Sequence, residues 1–261
     1  RLALDAGFQS AEIVPSKGKP GVFATLDAGA RKTLGIYFMY DVKQYDPKEW
    51  SSPPLEGRIV DKPGLGKVLV GRGAVNQKGP ESAMLAALHA FKRAGVKPPV
   101  NLVLVAEGEE EIGSPNLERY LKKYADLFRA DGCIWEFGGK NEKGQLEIAC
   151  GVKGIAYFEL TCRTADADIH SSAGAIIDNA AWRLVRALAS MKNAEHEILV
   201  EGFSDGIREP APEEREAAKK LPFDEKVLRD VYGLKRPLIT GKKGTDPREA
   251  MVFHPTMTIC G

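Results

Sequence analysis

The segment "VNLVLVAEGEEEIGS" sets the strongest limit on how this chain folds. Val100 to Ala106 is nearly all apolar, has the length of a strand, and carries no alternation that would leave one face in water. Such a run belongs to a strand covered on both sides, as in a sheet packed between helices. It ends in Glu107, Glu109, Glu110 and Glu111, with Gly108 between the first two. Crowded carboxylates repel one another, so the strand end must supply a compensating partner, and a divalent cation is one.

The flanking elements are consistent with that frame. "TLGIYFMYDV" (Thr33 to Val42) has the aromatic and β-branched content of a strand. Arg58 to Asp61 and Lys67 to Val70 flank a Pro-Gly turn and predict a hairpin. "PESAMLAALHAFKRAG" reads as a helix: Pro80 and Glu81 open it, Lys92 and Arg93 close it, and Gly95 ends it. "NLERYLKKYADLF" predicts a further helix and "DGCIWEF" a short strand. Strands alternating with helices predict an α/β domain over residues 1–150, with a mostly parallel sheet flanked by helices. In such sheets ligands gather at the carboxyl ends of strands. Asp41 and Glu136 end two other strands there, which makes both candidate metal ligands beside the glutamates.

From residue 151 the pattern changes. "KGIAYFELTCRT" predicts a long alternating strand, "DNAAWRLVRALASMK" a helix burying Trp182, Val185, Leu188 and Met191, and "PEEREAAKK" a short helix. "MVFHPTMTICG" reads as extended. Residues 151–261 are expected to form a smaller α+β domain.

Bulk properties exclude several classes. The 261 residues carry a formal net charge of +1, which gives no nucleic-acid footprint. No apolar run approaches a membrane span. The four cysteines are scattered without a CxxC pair, which suits a reducing cytoplasm. The start "RLALDAGFQS" reads as a chain trimmed or begun inside an element. "GRGAVNQKG" lacks phosphate-loop spacing, the glycines of "GLGKVLVGRG" flank a strand rather than open a helix, and no GxSxG elbow accompanies Ser171 and Ser172.

Five segments, "YDVKQYDPKEWSSPPLEGRI", "GRGAVNQKGP", "EGEEEIGSP", "GVKGIAYFELT" and "DIHSS", occur in the order found in the zinc peptidase/deacylase superfamily. The chain resembles that superfamily from about Thr33 to Asn193, and its dipeptidase-like branch most. Members include carnosinase-like dipeptidases, glutamate carboxypeptidases, acetylornithine deacetylase and succinyl-diaminopimelate desuccinylase. The resemblance implies a two-metal catalytic domain with a lid domain that usually dimerises, here a homodimer through residues 151–261. It implies hydrolysis of peptide or N-acyl-amino-acid amide bonds next to a free carboxylate, with zinc, manganese or cobalt as the metal. By motif position Glu110 corresponds to the general base, Glu111 and Glu136 to metal ligands, and His170 to the lid histidine that stabilises the oxyanion.

The sequence departs from the family pattern at two ligands. Met39 stands where the family has His, and a thioether is a poor zinc ligand beside carboxylates. Asn76 stands where the family has the metal-bridging Asp, and a neutral amide bridges two cations poorly. The family pattern also continues well past "HPTMTICG", where a further His ligand is expected. Two functions stay open: a metal-dependent hydrolase with an altered site, or a degenerate relative acting as a peptide-binding or dimeric scaffold protein.

Overall fold

The computed structural model describes residues 1–135, 139–140, 144–149, 151–240 and 244–260. The chain divides into two compact units, Arg1–Val152 and Lys153–Gly261.

The first unit opens with helix α1 (Leu2–Ala6) and strands β1 (Ser10–Val14), β2 (Gly21–Leu26) and β3 (Thr33–Met39). The hairpin β4 (Arg58–Lys62) and β5 (Gly66–Val70) follows where the Pro-Gly turn predicts it. Helix α2 (Gly79–Ala94) ends on Gly95 in the left-handed conformation, φ 66°. Then come β6 (Asn101–Glu107), α3 (Leu117–Lys123) and β7 (Gly132–Trp135). Two-residue strands Gly139–Lys140 and Leu146–Glu147 pair with each other.

Five strands form one sheet in the order β1-β2-β6-β3-β7. The pairs β6 with β3 and β3 with β7 are parallel, while β1-β2 and β2-β6 are antiparallel. The α/β expectation holds, but the sheet is mixed rather than mostly parallel. β1 and β2 are joined by a short turn, which allows only antiparallel pairing.

Strand parity sorts the core onto two faces. Leu102, Leu104 and Ala106 of β6 join Ile36, Ala24 and Leu26 beneath α1 and α2, where Ala6 and Leu88 meet them. Val103 and Val105 join Phe23, Tyr37 and Met39 on the opposite face, against Leu117 and Tyr120 of α3. That double cover explains why β6 is apolar at every position between Asn101 and Glu107. The helix expected over 116–128 stops at Lys123. Residues 124–128 turn instead, and Phe128 packs edge-on against Phe23 with ring centroids 5.2 Å apart.

At its other end β6 is held by Asn101. Its Oδ1 accepts the Ala28 and Ala30 amides at 3.0 and 3.1 Å, and its Nδ2 donates to the Ala30 carbonyl at 2.9 Å.

The second unit contains α4 (Ala180–Met191), α5 (Pro212–Ala218), α6 (Glu225–Tyr232) and α7 (Pro247–Phe253). Asn179 caps α4 by accepting the Trp182 amide at 3.0 Å. Arg215 of α5 pairs with the buried Glu249 of α7. Three expectations fail here. Residues 153–164 form no strand, because a strand needs a partner backbone and the described residues of this unit contain none. Trp182 and Val185 are exposed rather than buried, since no sheet lies under that face of α4 within the unit. Met251 to Phe253 are helical, not extended, because Asp246 caps α7 through the Arg248 amide. The regular elements among its described residues are thus helices with one isolated bridge, Lys192 to Ile198, rather than an α+β mixture.

Asn101→Ala removes three hydrogen bonds to one loop and is expected to lower unfolding stability by about 1–3 kcal/mol, read by urea denaturation.

Candidate metal centre and acidic loop

In the parallel register Met39 lies opposite Glu107, so β3 and β6 end level with each other. The Tyr40 amide extends the ladder by one bond to the Glu107 carbonyl, 2.8 Å. Asp41 therefore emerges beside the acidic loop. Its Oδ2 accepts the Glu111 amide at 3.0 Å, while its Oδ1 is buried with no hydrogen-bond partner. From the turn before α2, Asn76 Nδ2 donates to Glu111 Oε1 at 3.4 Å. Lys78 Nζ donates to the carbonyls of Met39 and Asp41 at 3.2 and 3.3 Å, and Lys43 Nζ to the Glu111 carbonyl at 3.3 Å.

The four glutamates do not share one environment. Glu107 has the parity of Val103 and Val105 and is 2% exposed. Its Oε1 accepts the hydroxyls of Tyr37 and Ser114 at 2.5 and 2.7 Å. Glu109 is also buried, and its Oε2 accepts Asn116 Nδ2 at 2.8 Å. Glu110 and Glu111 are half-buried on a 3-10 turn, Glu110–Ile112. Separate donors thus relieve the repulsion that the sequence alone poses. Gly108 is required because the Tyr40 ring lies across it. A Cβ there would come within 2.2–2.5 Å of that ring, whose hydroxyl donates to the Pro20 carbonyl. Burial, then Asp41, Glu109 and Glu107, push the Tyr40 phenol up from its ordinary value.

The structure brings together Asp41, Asn76 and Glu111, with Glu110 adjacent in the same turn. Glu136 lies outside the described residues. Met39 is fully buried in the apolar cluster with Val103, Val105 and Tyr120, so its sulfur sits among hydrocarbon. Among the described residues no group of three His, Cys, Asp or Glu side chains is arranged to hold a metal ion. His170 belongs to the second unit, where its Nδ1 accepts the Ser172 amide at 3.2 Å and lies 3.0 Å from the Ser172 hydroxyl. Sequence reasoning missed Lys78, Lys43 and the separate duty of Glu107. Only Glu107 carried a signal, its parity in the strand.

Residues 39–209 match Peptidase family M20/M25/M40. The Cys-Gly metallodipeptidase of Schizosaccharomyces pombe is 30% identical over 240 residues, which is 89% of this chain and 48% of that protein. The Beta-Ala-His dipeptidase of Homo sapiens is 30% identical over 251 residues, 93% of this chain and 47% of that protein. The crystal structure of an M20 family metallo-carboxypeptidase from Sulfolobus solfataricus superposes with a TM-score of 0.82 at 33% identity, covering 98% of this chain and 56% of that one. The chain spans about half the length of the curated relatives it matches.

Glu81, in the first turn of α2, accepts the Met39 amide at 2.9 Å. Burial raises its carboxyl above the ordinary value, against Lys78 and the Met39 bond, which lower it. A carboxyl raised on folding holds its proton more tightly in the folded state, so it costs stability as pH rises through that value. Glu81→Gln is expected to remove this group's share of any fall in stability as pH rises above its ordinary value of 4.5, measured by denaturation at stepped pH.

Proposed function

Because the chain belongs to peptidase family M20/M25/M40, we propose that it acts as a metal-dependent hydrolase of peptide or N-acyl-amino-acid amide bonds, of the dipeptidase or carboxypeptidase type, with an altered metal site. The observation that carries the reading is the meeting of three chain segments at the carboxyl ends of two neighbouring strands: Asp41 after β3, Asn76 before α2, and Glu110 with Glu111 after β6. Small peptides are the substrate class of the named relatives and the class proposed here.

Family membership implies a divalent metal. The donors support one ion better than two. Asp41 has a buried, unpartnered oxygen, Glu111 has a carboxylate, and Asn76 has an amide oxygen. These three residues would hold it, with Glu136 as a further candidate. A second ion lacks an imidazole at Met39 and a bridging charge at Asn76. Zinc is the family expectation, and an oxygen-only donor set brings manganese or cobalt into range. Such an ion, when bound, makes a water molecule acidic enough to lose a proton near neutral pH. With such an ion bound, the Glu110 carboxylate would serve as the base that accepts a proton from water and hands it on to the leaving nitrogen. Asp41 fixes the backbone of Glu111 through the Glu111 amide, and Lys78 ties the end of β3 to the turn that bears Asn76. His170 is proposed to stabilise the oxyanion, and residues 151–261 to form a homodimer contact.

Cys133, Cys162 and Cys260 are free, which supports a cytoplasmic setting. Among the described residues no helix is long and apolar enough to cross a membrane.

Met39 and Asn76 favour a second reading, a degenerate relative that binds peptide or serves as a dimeric scaffold. Metal analysis by inductively coupled plasma mass spectrometry separates the two. Near-stoichiometric zinc, manganese or cobalt, with dipeptide turnover lost about 100-fold or more in Glu110→Gln, supports the hydrolase. A metal-free chain that gains zinc only in the double variant Met39→His, Asn76→Asp supports the degenerate reading.

A further inference from the structure

Glu107 and Glu109 are the acids of the loop that the proposed reaction does not use, and Glu107 is the more deeply buried of the two. It sits at the last position of β6, where Met39 pairs beside it. One of its oxygens accepts two hydroxyls from different parts of the fold. Tyr37 comes from inside β3, and Ser114 comes from the far end of the acidic loop. Ser114 lies seven positions after Glu107, so this bond closes the loop on itself. Inside that closure the Ser114 amide bonds to the Glu109 carbonyl and the Gly113 amide to the Glu110 carbonyl, both at 2.9 Å.

Two further features show that the closure acts under load. Ser114 has φ 53°, left-handed backbone that disfavours a serine, so something must hold it there. The Tyr37 ring stacks flat on Trp135 of β7, with centroids 4.2 Å apart and planes 3° apart. The carboxylate of Glu107 thereby links the loop to two neighbouring strands. Glu107 Oε2 and the Tyr120 hydroxyl are both buried without a hydrogen-bond partner. Keeping a carboxylate in such surroundings costs free energy, and an apolar residue would fill the same place in the cluster. Packing alone does not call for an acid there.

We infer that Glu107 is a positioning residue: its carboxylate clamps Ser114 to Tyr37 and so fixes the conformation of the turn that carries Glu110 and Glu111. That the turn serves a reaction rests on the hydrolase reading. That Glu107 holds the turn does not.

The test is amide hydrogen exchange by NMR on the whole chain, without added metal. Ser114→Ala removes the far half of the clamp at little risk to folding. It is expected to speed exchange of the Gly113 and Ser114 amides about tenfold or more, with the Val103 and Leu104 amides within about twofold of the parent. Glu107→Ala is expected to do the same and to free the Glu111 amide as well. Glu107→Gln keeps an acceptor oxygen for both hydroxyls, so it is expected to restore near-parental exchange. Unchanged loop exchange in Ser114→Ala would overturn the clamp. So would a Glu107→Gln chain as loose as Glu107→Ala, since acceptor geometry would then not be what holds the loop. A zinc titration run in parallel reads the other question: a parent that takes up no ion counts against the hydrolase reading and leaves the exchange result standing.

Discussion

The parallel pairing of β3 with β6 is the constraint from which the rest of the site follows. With Met39 opposite Glu107, the two strands finish level, and the Tyr40 amide still has a carbonyl to bond. Asp41 then accepts the Glu111 amide from the turn that follows β6. The turn before α2 completes the arrangement because Lys78 reaches back to the carbonyls at the end of β3. None of these contacts would survive a shift of β3 by one residue, since every side chain would change faces.

The acidic loop gathers negative charge without collapsing because the fold disperses it. Glu107 turns into the face shared with α3, Glu109 turns to Asn116, and the Glu111 carboxylate turns to Asn76. Hydroxyl and amide donors from different segments take the place of a single counter-ion. Asn76 contributes twice to this balance, as a donor to Glu111 and as a neutral side chain where an aspartate would add charge. The buried, unpartnered Asp41 Oδ1 is where the compensation is incomplete.

Much of the first unit was legible in the sequence. The uninterrupted apolar run of β6 announced a strand covered on both faces, and the Pro-Gly turn announced the hairpin. Glycine at residue 95 and the basic pair before it marked the end of α2. What the sequence hid was topological: whether β1 and β2 run with or against their neighbours depends on a turn length, not on residue character. In the second unit, the alternation of "KGIAYFELTCRT" has the period of a strand, yet periodicity states only which residues share a face. It supplies no partner, and Ile155, Tyr157 and Phe158 are 81%, 81% and 86% exposed. The site was legible as a set of residue types. The ammonium groups of Lys43 and Lys78 were not, because a lysine in a loop carries no pattern that tells where its long side chain will reach.

Strand β6 is fastened at both ends by polar side chains, Asn101 to the 28–30 loop and Glu107 to Tyr37 and Ser114. The seven residues between and including them form a spar of fixed length. Substitutions along it change volume, and neighbouring side chains can adjust to that. An insertion or deletion cannot be absorbed in the same way. Adding one residue would turn Val103 and Val105 toward the opposite helices and leave one of the two anchors facing the wrong layer. Evolution can therefore vary the chemistry of this strand far more freely than its count of residues, and the hairpin β4–β5, which carries no such anchors, is where changes of length are more easily absorbed.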